Sequence, residues 1–585
     1  MANQTTSPSE NAHSYRGYKV PAVAQQQDSS KFPKSGGPPT HMVDQLLYRD
    51  LVDHEYPYLL PLLILWSLFI TKFLIRQVLN KLVKSAYGLN NSKLVSDYMK
   101  IEHELTNPNE VDPKSMKGYK YLVLGEGKIN PQINGPDYTP EIELPPGVIT
   151  LDKVWSCKDR LLDPSIDTDN RLRDVCLSFA FFKLLKRQFF EYPAAEAQLE
   201  KTRQLVFDGL LSRNNNSIYS VIAMEIAFLR DFFYTRYPVT FALGVPVLHV
   251  ILLVGMFGVS VCLSVKSFMR RENHDNDYLR SPQGHNIDYT ITNILLIMVL
   301  AILCEGKFSR SLNNTIGQYS LLENSNRFHL DCCSLVTCIP YSTWGWSPSK
   351  VAPNGMKKRK PVVLSPYVKG AIVNSLRLMS HYPTKGVASL RRNGVYDDLA
   401  WTCTLKTEFH TLIVWHIATG LCEIHPVKDK GNKESVEPYH PVASHLSNYC
   451  AYLMVFLPNM LPESIFSLKL FFRKVLTETK EFFHGSRSYE DKYNLMLQVG
   501  ESGDRAIDKG ARLAKYLMEI PDDVRRWKIM ADFWSEFIIF LAPHGKVKEH
   551  LNNLESGGEF ITHLWALLYH AGIVHESWTP PLKFV

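Results

Sequence analysis

The sequence predicts a mainly α protein, membrane-anchored, with about three transmembrane helices and a larger helical cytosolic portion. Three observations carry this expectation. The run "YPVTFALGVPVLHVILLVGMFGVSVCLSV" between Arg236 and Lys266 holds no formally charged residue, and a bilayer core of about 30 Å needs roughly 20 residues of helix. Two shorter apolar runs, 56–71 and 289–304, are bounded by charged residues. Most of the stretch 366–580 shows apolar residues at helical spacing. At 585 residues the chain is too long for one compact core, so several folding units are expected.

Residues 1–50 are expected as a disordered polar N-terminus, rich in Ser, Gln, Pro and Gly and without the apolar core of a signal peptide. Residues 51–86 follow as the first membrane helix and its basic flank. Lys72, Arg76, Lys81 and Lys84 come after the apolar run, whereas Asp50, Asp53 and Glu55 precede it. That bias places the next segment, 87–236, in the cytosol. Lys266, Arg270, Arg271 and Arg280, after the second span, argue for the opposite orientation.

Within 87–236, "RLRDVCLSFAFFKLLKRQFF" and "VIAMEIAFLRDFFYTRYP" have the spacing of packed helices. "YKYLVLGEGK" invites a phosphate-loop reading and fails it. Leu122 stands where the first glycine is needed, and Ile129 where Ser or Thr should follow Lys128. A turn is expected there. Residues 237–304 form a membrane helix pair with a short loop, and His249 is the ionisable residue within the clear span. Residues 305–365 read as a linker carrying the cluster Lys357, Lys358, Arg359 and Lys360, which is suited to solvent or to anionic lipid.

Residues 366–580 are expected as a helical C-terminal domain. "HLSNYCAYLMVFLPNMLP" is apolar from Tyr449 to Leu457 and then broken by Pro458, too short to span, and reads as a core helix. "DKGARLAKYLM" is amphipathic, and "RRWKIMADFWSEFIIFLAP" carries an aromatic packing stripe.

Candidate chemistry is sparse. In "GGEFITHLWALLYHAG" (557–572), Glu559, His563 and His570 fall along one helical stripe. The rise of 1.5 Å per residue sets His563 and His570 roughly 10 Å apart, too far for one zinc. Glu559 and His563, one turn apart, remain as a pair able to share a metal or a hydrogen bond. His416 joins these candidates. His410, six residues before it, points to a different helix face. The H-E-x-x-H, G-x-S-x-G, kinase and Walker patterns do not occur. No cofactor is expected. The net charge of +7 comes without a basic stripe interleaved with aromatics, so no nucleic-acid partner is expected.

Several strings together resemble one family. "LDKVWSCKDRLL", "CLSFAFFKLLKR", "EIAFLRDFFYTRYP", "GQYSLL", "VWHIATGLC", "GARLAKYL" and "GGEFITHLWALLYHAGI" occur in that order over roughly residues 62–573. They resemble a plant membrane family, abundant in grasses, defined by two domains of unknown function. One, numbered 4220, is the membrane-associated part, and the other, numbered 594, is the C-terminal part. The resemblance implies a multi-pass membrane protein with a helical C-terminal domain and no established activity. It also implies a chain shortened or rearranged at its N-terminus, with Gly420 standing where members commonly carry an acid.

The function expected from these readings is a non-enzymatic, membrane-anchored interaction or signalling protein. Its partners would be the lipid bilayer and a protein bound by the C-terminal domain. One alternative is a metal-assisted or acid–base enzyme using Glu559, His563, His570 and His416. The other is an oligomeric channel or transporter component.

Overall fold

The computed structural model describes residues 59–234 and 246–273, then 314–324 and 357–573. Short stretches at 86–88, 130–131, 135–138, 142–143, 159–161, 163–169, 380–381, 425–432, 463–464, 487, 500–502 and 555–557 are excepted. The N-terminal half supplies α1 (Leu59–Ser85), α2 (Leu89–Ile101), α3 (Arg171–Lys186), α4 (Asn215–Tyr234) and α5 (Pro246–Asn273). The C-terminal half begins with α6 (Pro366–Arg377), α7 (Tyr396–Cys403), α8 (Glu408–Ile424), α9 (His440–Phe456) and α10 (Ile465–Phe482). It continues with α11 (Tyr489–Leu497), α12 (Ala506–Glu519), α13 (Asp523–Leu541), α14 (Val547–Leu554) and α15 (Phe560–His570).

Strands are short and antiparallel. β1 (Leu122–Leu124) pairs with β4 (Ile149–Thr150), β2 (Gln132–Asn134) with β3 (Thr139–Glu141), and β5 (Thr315–Gln318) with β6 (Arg359–Val363). The mainly α expectation therefore holds. The "GEGK" stretch is the turn its sequence implied: Gly125 sits at φ 91, and a single 3₁₀ turn covers Glu126–Lys128.

Local chemistry sets several helix starts. Ser365 accepts the Val368 N–H and Pro366 occupies the first turn of α6. Asp522 accepts the Val524 N–H at the head of α13. A reciprocal Ser488–Asp491 capping box opens α11.

One apolar core runs through both halves, gathering α3 and α4 with α8, α9, α13 and α15. Trp415 of α8 stacks on Phe533 of α13 at 3.6 Å between ring centres, and the Trp534 indole donates to Thr419 at 3.0 Å. The aromatic stripe read from the sequence is thus core. Gly510 of α12 lets that helix close on α8, because a Cβ there would lie 2.6 Å from Ile417 Cγ2.

A second, smaller apolar cluster stands apart. Leu65 of α1 packs with Met256 and Leu263 of α5, flanked by Leu68, Phe69 and Val259. Away from this seam many large apolar side chains face outward, including Phe73, Leu74 and Val78 on α1 and Val250, Ile251, Val254 and Phe257 on α5.

The expectation of about three transmembrane helices finds no support among the described residues. The first run lies largely within α1, which continues through its basic flank to Ser85 instead of ending before it. The second lies within α5, which starts at Pro246, and the third (289–304) falls outside the described residues. Among the described residues, no helix is long and apolar enough to cross a membrane. The 305–365 segment, read as a linker, contributes β5 and β6. Its basic cluster is partly engaged: Arg359 forks onto Glu323 at 2.5 and 2.7 Å, and Lys358 lies over the Tyr452 and Phe456 rings.

Candidate functional site: polar contacts around the C-terminal helix

α15 is buried nearly all round, so each polar side chain it carries must find a partner on whichever neighbour it faces. Glu559 stands at the N-cap position but does not cap the helix with its side chain. Its carboxyl lies between the hydroxyls of Tyr449 and Tyr452 on α9, at 3.4 and 3.3 Å. Tyr449 also accepts the Ile561 N–H at 3.0 Å, tying the start of α15 to α9. Desolvation pushes the Glu559 carboxyl up to about 7, against the downward pull of the two hydroxyls and of Lys358.

His563 makes its contact with the same residue through the backbone. Its Nδ1 lies 3.3 Å from the Glu559 carbonyl oxygen, and burial pushes the ring down to about 4. The Glu559–His563 pair is therefore joined by a main-chain hydrogen bond, with the carboxyl occupied elsewhere.

His570 faces the other half of the molecule. Its Nε2 lies 2.7 Å from Glu225 Oε1 of α4, and its ring stacks on Phe181 of α3 at 4.0 Å between centres. Both partners are buried. Burial raises the Glu225 carboxyl above the usual range, with His570 opposing the shift. This contact links residues far apart in the chain, and the sequence reading did not anticipate it.

His416 is a third, separate case. Its Nε2 accepts the Leu321 N–H at 3.2 Å, which leaves Nδ1 protonated toward Ser447 Oγ at 2.9 Å. Desolvation, then the nearby Arg359, pushes its pKa down to about 3, so the ring is a neutral clip between α8, α9 and the "GQYSLL" segment. Gly420, one turn further along α8, faces that segment too: a Cβ there would lie 2.9 Å from Leu322 Cδ1. An acid at 420 would require Leu322 to move.

The sequence reading also missed His550. It stacks on Trp565 at 4.3 Å, bonds Thr562 at 3.0 Å, and burial pushes it down to about 3. Its signal was a lone histidine in a short amphipathic helix, too weak to single out.

The four candidates thus sit in three environments. Only Glu559 and His563 meet, and among the described residues no three His, Cys, Asp or Glu side chains converge to hold a metal ion. Two cavities among the described residues lie elsewhere. One of about 270 Å³ is lined by Trp155, Asn170, Asp174, Arg213 and Ser217, where Arg213 bonds Asp174 at 2.6 Å and covers the Trp155 ring. The other, of about 380 Å³, is lined by Phe482, Leu495, Val499, Arg505 and Asp508.

Against known proteins, residues 46–306 match the family described as "Domain of unknown function (DUF4220)", and residues 519–573 match the one described as "Protein of unknown function, DUF594". No curated protein and no solved structure gives a significant match.

Proposed function

Because the two family descriptions matched by this chain, DUF4220 and DUF594, state no activity, we propose a function from the placement of its side chains. It is a membrane-attached helical protein that works by binding a protein partner, not by catalysis. The observation that carries this reading is the outward apolar surface of α1 and α5. Val254 is 66% exposed and Phe257 is 53% exposed, and fully burying such a side chain gains about 1.5–3 kcal/mol. Apolar patches of this extent mark membrane or partner contacts. In the sequence, the run from Pro246 to Val265 carries no formally charged residue, which favours an apolar surrounding for this part of the chain.

The candidate catalytic residues support binding over chemistry from the other side. His416 and His570 are committed to side-chain or backbone partners that hold the core together. One observation favours acid–base work: Glu559, near 7, has a value suited to proton exchange at neutral pH. Yet it lines neither cavity, and its carboxyl is engaged by two tyrosines.

Alkaline carbonate extraction of membranes tests the attachment. Retention of the native chain is expected, with release of a variant carrying Val250→Ser, Val254→Ser and Phe257→Ser. Complete release of the native chain would end the attachment reading. Purification of the tagged chain in gentle detergent tests the binding reading, which predicts a stoichiometric co-purifying protein. Recovery of the bare chain alone would count against it.

A further inference from the structure

α10 divides sharply into two faces. Leu468, Phe472, Val475, Leu476 and Thr479 are buried, with Phe472 against Tyr319 at 6.1 Å and Phe471 against His410 at 4.3 Å. The opposite face carries Phe466, 73% exposed, and Leu470, 48% exposed, one turn apart. Lys469, Arg473 and Lys474 flank them and Lys480 stands on the same side about 15 Å further along the helix, all exposed. Among the described residues the acids near this face are Glu481, exposed, and Glu478, which lies 3.9 Å from Lys474.

We propose that this face of α10 lies on an anionic bilayer surface. Phe466 and Leu470 would enter the headgroup layer, and Lys469, Arg473, Lys474 and Lys480 would meet the lipid phosphates. The combination is what such a contact needs. Two large apolar side chains alone partition weakly, and four cations alone are a solvated face. Cations whose stems flank apolar anchors can snorkel to the phosphates while the anchors insert. Each basic residue near an anionic surface contributes about 1 kcal/mol, or about fivefold in partitioning. The excess of cations over acids on this face selects an anionic bilayer as occupant. The inference rests on the attachment proposed above for the nearness of a bilayer, and it lays the C-terminal body against that surface instead of leaving it free.

The test uses the full chain with vesicles of phosphatidylcholine, with or without about 30 mol% phosphatidylserine. Flotation reads attachment. Acylation rates of Lys469, Lys474 and Lys480 and radical oxidation of Phe466, followed by mass spectrometry, read the α10 face. We expect flotation with both vesicle types, and at least about fivefold slower modification of the α10 face on the anionic vesicles alone. Lys469→Glu with Arg473→Glu should return Phe466 oxidation to its vesicle-free rate. Phe466→Ser with Leu470→Ser, at exposed positions, should restore lysine acylation.

Unchanged rates on anionic vesicles that the chain floats with would overturn the inference and leave the attachment intact. So would slowing by an acidic polypeptide and not by vesicles, or Phe466 protection that survives the charge reversal. Flotation with anionic vesicles only, lost on charge reversal, would uphold the α10 contact and remove the α1–α5 anchor. Flotation with neither would overturn both.

Discussion

The α1–α5 pair and the C-terminal body are both made of long apolar helices, but they dispose of their apolar surface in opposite ways. In the body, Trp415, Phe533, Trp534 and Phe537 are sealed between helices, and the histidines among them are bonded and held neutral. In the pair, a narrow seam of Leu65, Met256 and Leu263 is buried, Leu252 is buried beside it, and many of the other large apolar side chains face out. A helix apolar on one stripe completes itself against a neighbour, whereas one apolar on most sides needs a surrounding that is itself apolar. The body carries its stability internally. On the proposed attachment, the pair draws on its environment.

The largest effect expected from disturbing this contrast lies at the contact between Glu225 and His570, where α4 of the first half meets α15 of the last. Removing one partner leaves the other buried without a counterpart, a loss of about 3–5 kcal/mol. Chemical denaturation of Glu225→Ala, followed by tryptophan fluorescence, should show it. Replacing both partners together, Glu225→Leu with His570→Phe, should recover much of the loss. A single variant within about 1 kcal/mol of native would mean that this contact does not hold the two halves together.

A pH effect comes next. His416 and His550 are held down to about 3 by burial, from an unfolded value near 6.5. The unfolded chain therefore takes up their protons first as pH falls. Their contribution to stability is complete above 6.5 and is lost toward 3, at up to about 1.4 kcal/mol per pH unit for each ring. Glu559 acts in the opposite sense. Its folded value near 7 stands above its ordinary 4.5, so its contribution is full below 4.5 and is lost as pH rises through 7. The difference between the stability–pH profiles of the native chain and His416→Gln isolates the histidine term. Parallel profiles between pH 6.5 and 4 would show that the ring is not held neutral.

How far the sequence disclosed these sites follows from the range of the interactions. Helical periodicity and caps are local, so α8, α9, α12 and α13 were readable from spacing alone. His563 and His570 lie within α15 and Glu559 stands at its extended N-cap, but α15 is enclosed on nearly all sides, and regular spacing did not imply a common partner. Glu559 turned to α9, and His570 to a carboxylate that lies 345 positions earlier in the chain. Nothing in spacing could identify Glu225. The motif strings were more informative than their residue types suggested: "VWHIATGLC", "GQYSLL" and "GARLAKYL" pack on one another through His416, Leu321 and Gly510. They mark a packing junction.

That junction gives a prediction of intermediate size. Gly510→Ala would set a methyl 2.6 Å from Ile417 Cγ2 and 3.3 Å from the Val414 carbonyl oxygen, so α12 must back away from α8. Overpacking of this kind costs about 1–3 kcal/mol, measurable as a shift in denaturation midpoint with unchanged slope. Tolerance of alanine would show that the α8–α12 contact is softer than the rest of the body.

The smallest expected effect is the sharpest probe of the comparison. Phe257 of α5 is half exposed and stands outside the seam cluster. Phe257→Ser should change the unfolding free energy of the body by no more than about 0.5 kcal/mol, as for a surface substitution. Phe533→Ala, on the same type of residue in α13, should cost about 3–5 kcal/mol. In membranes the order reverses: Phe257→Ser should weaken retention, and Phe533→Ala should leave retention to α1 and α5. If Phe257→Ser destabilised the body as much as Phe533→Ala does, the outward face of α5 would have to be covered by protein, and its apolar surface would belong to the same internal core as α13.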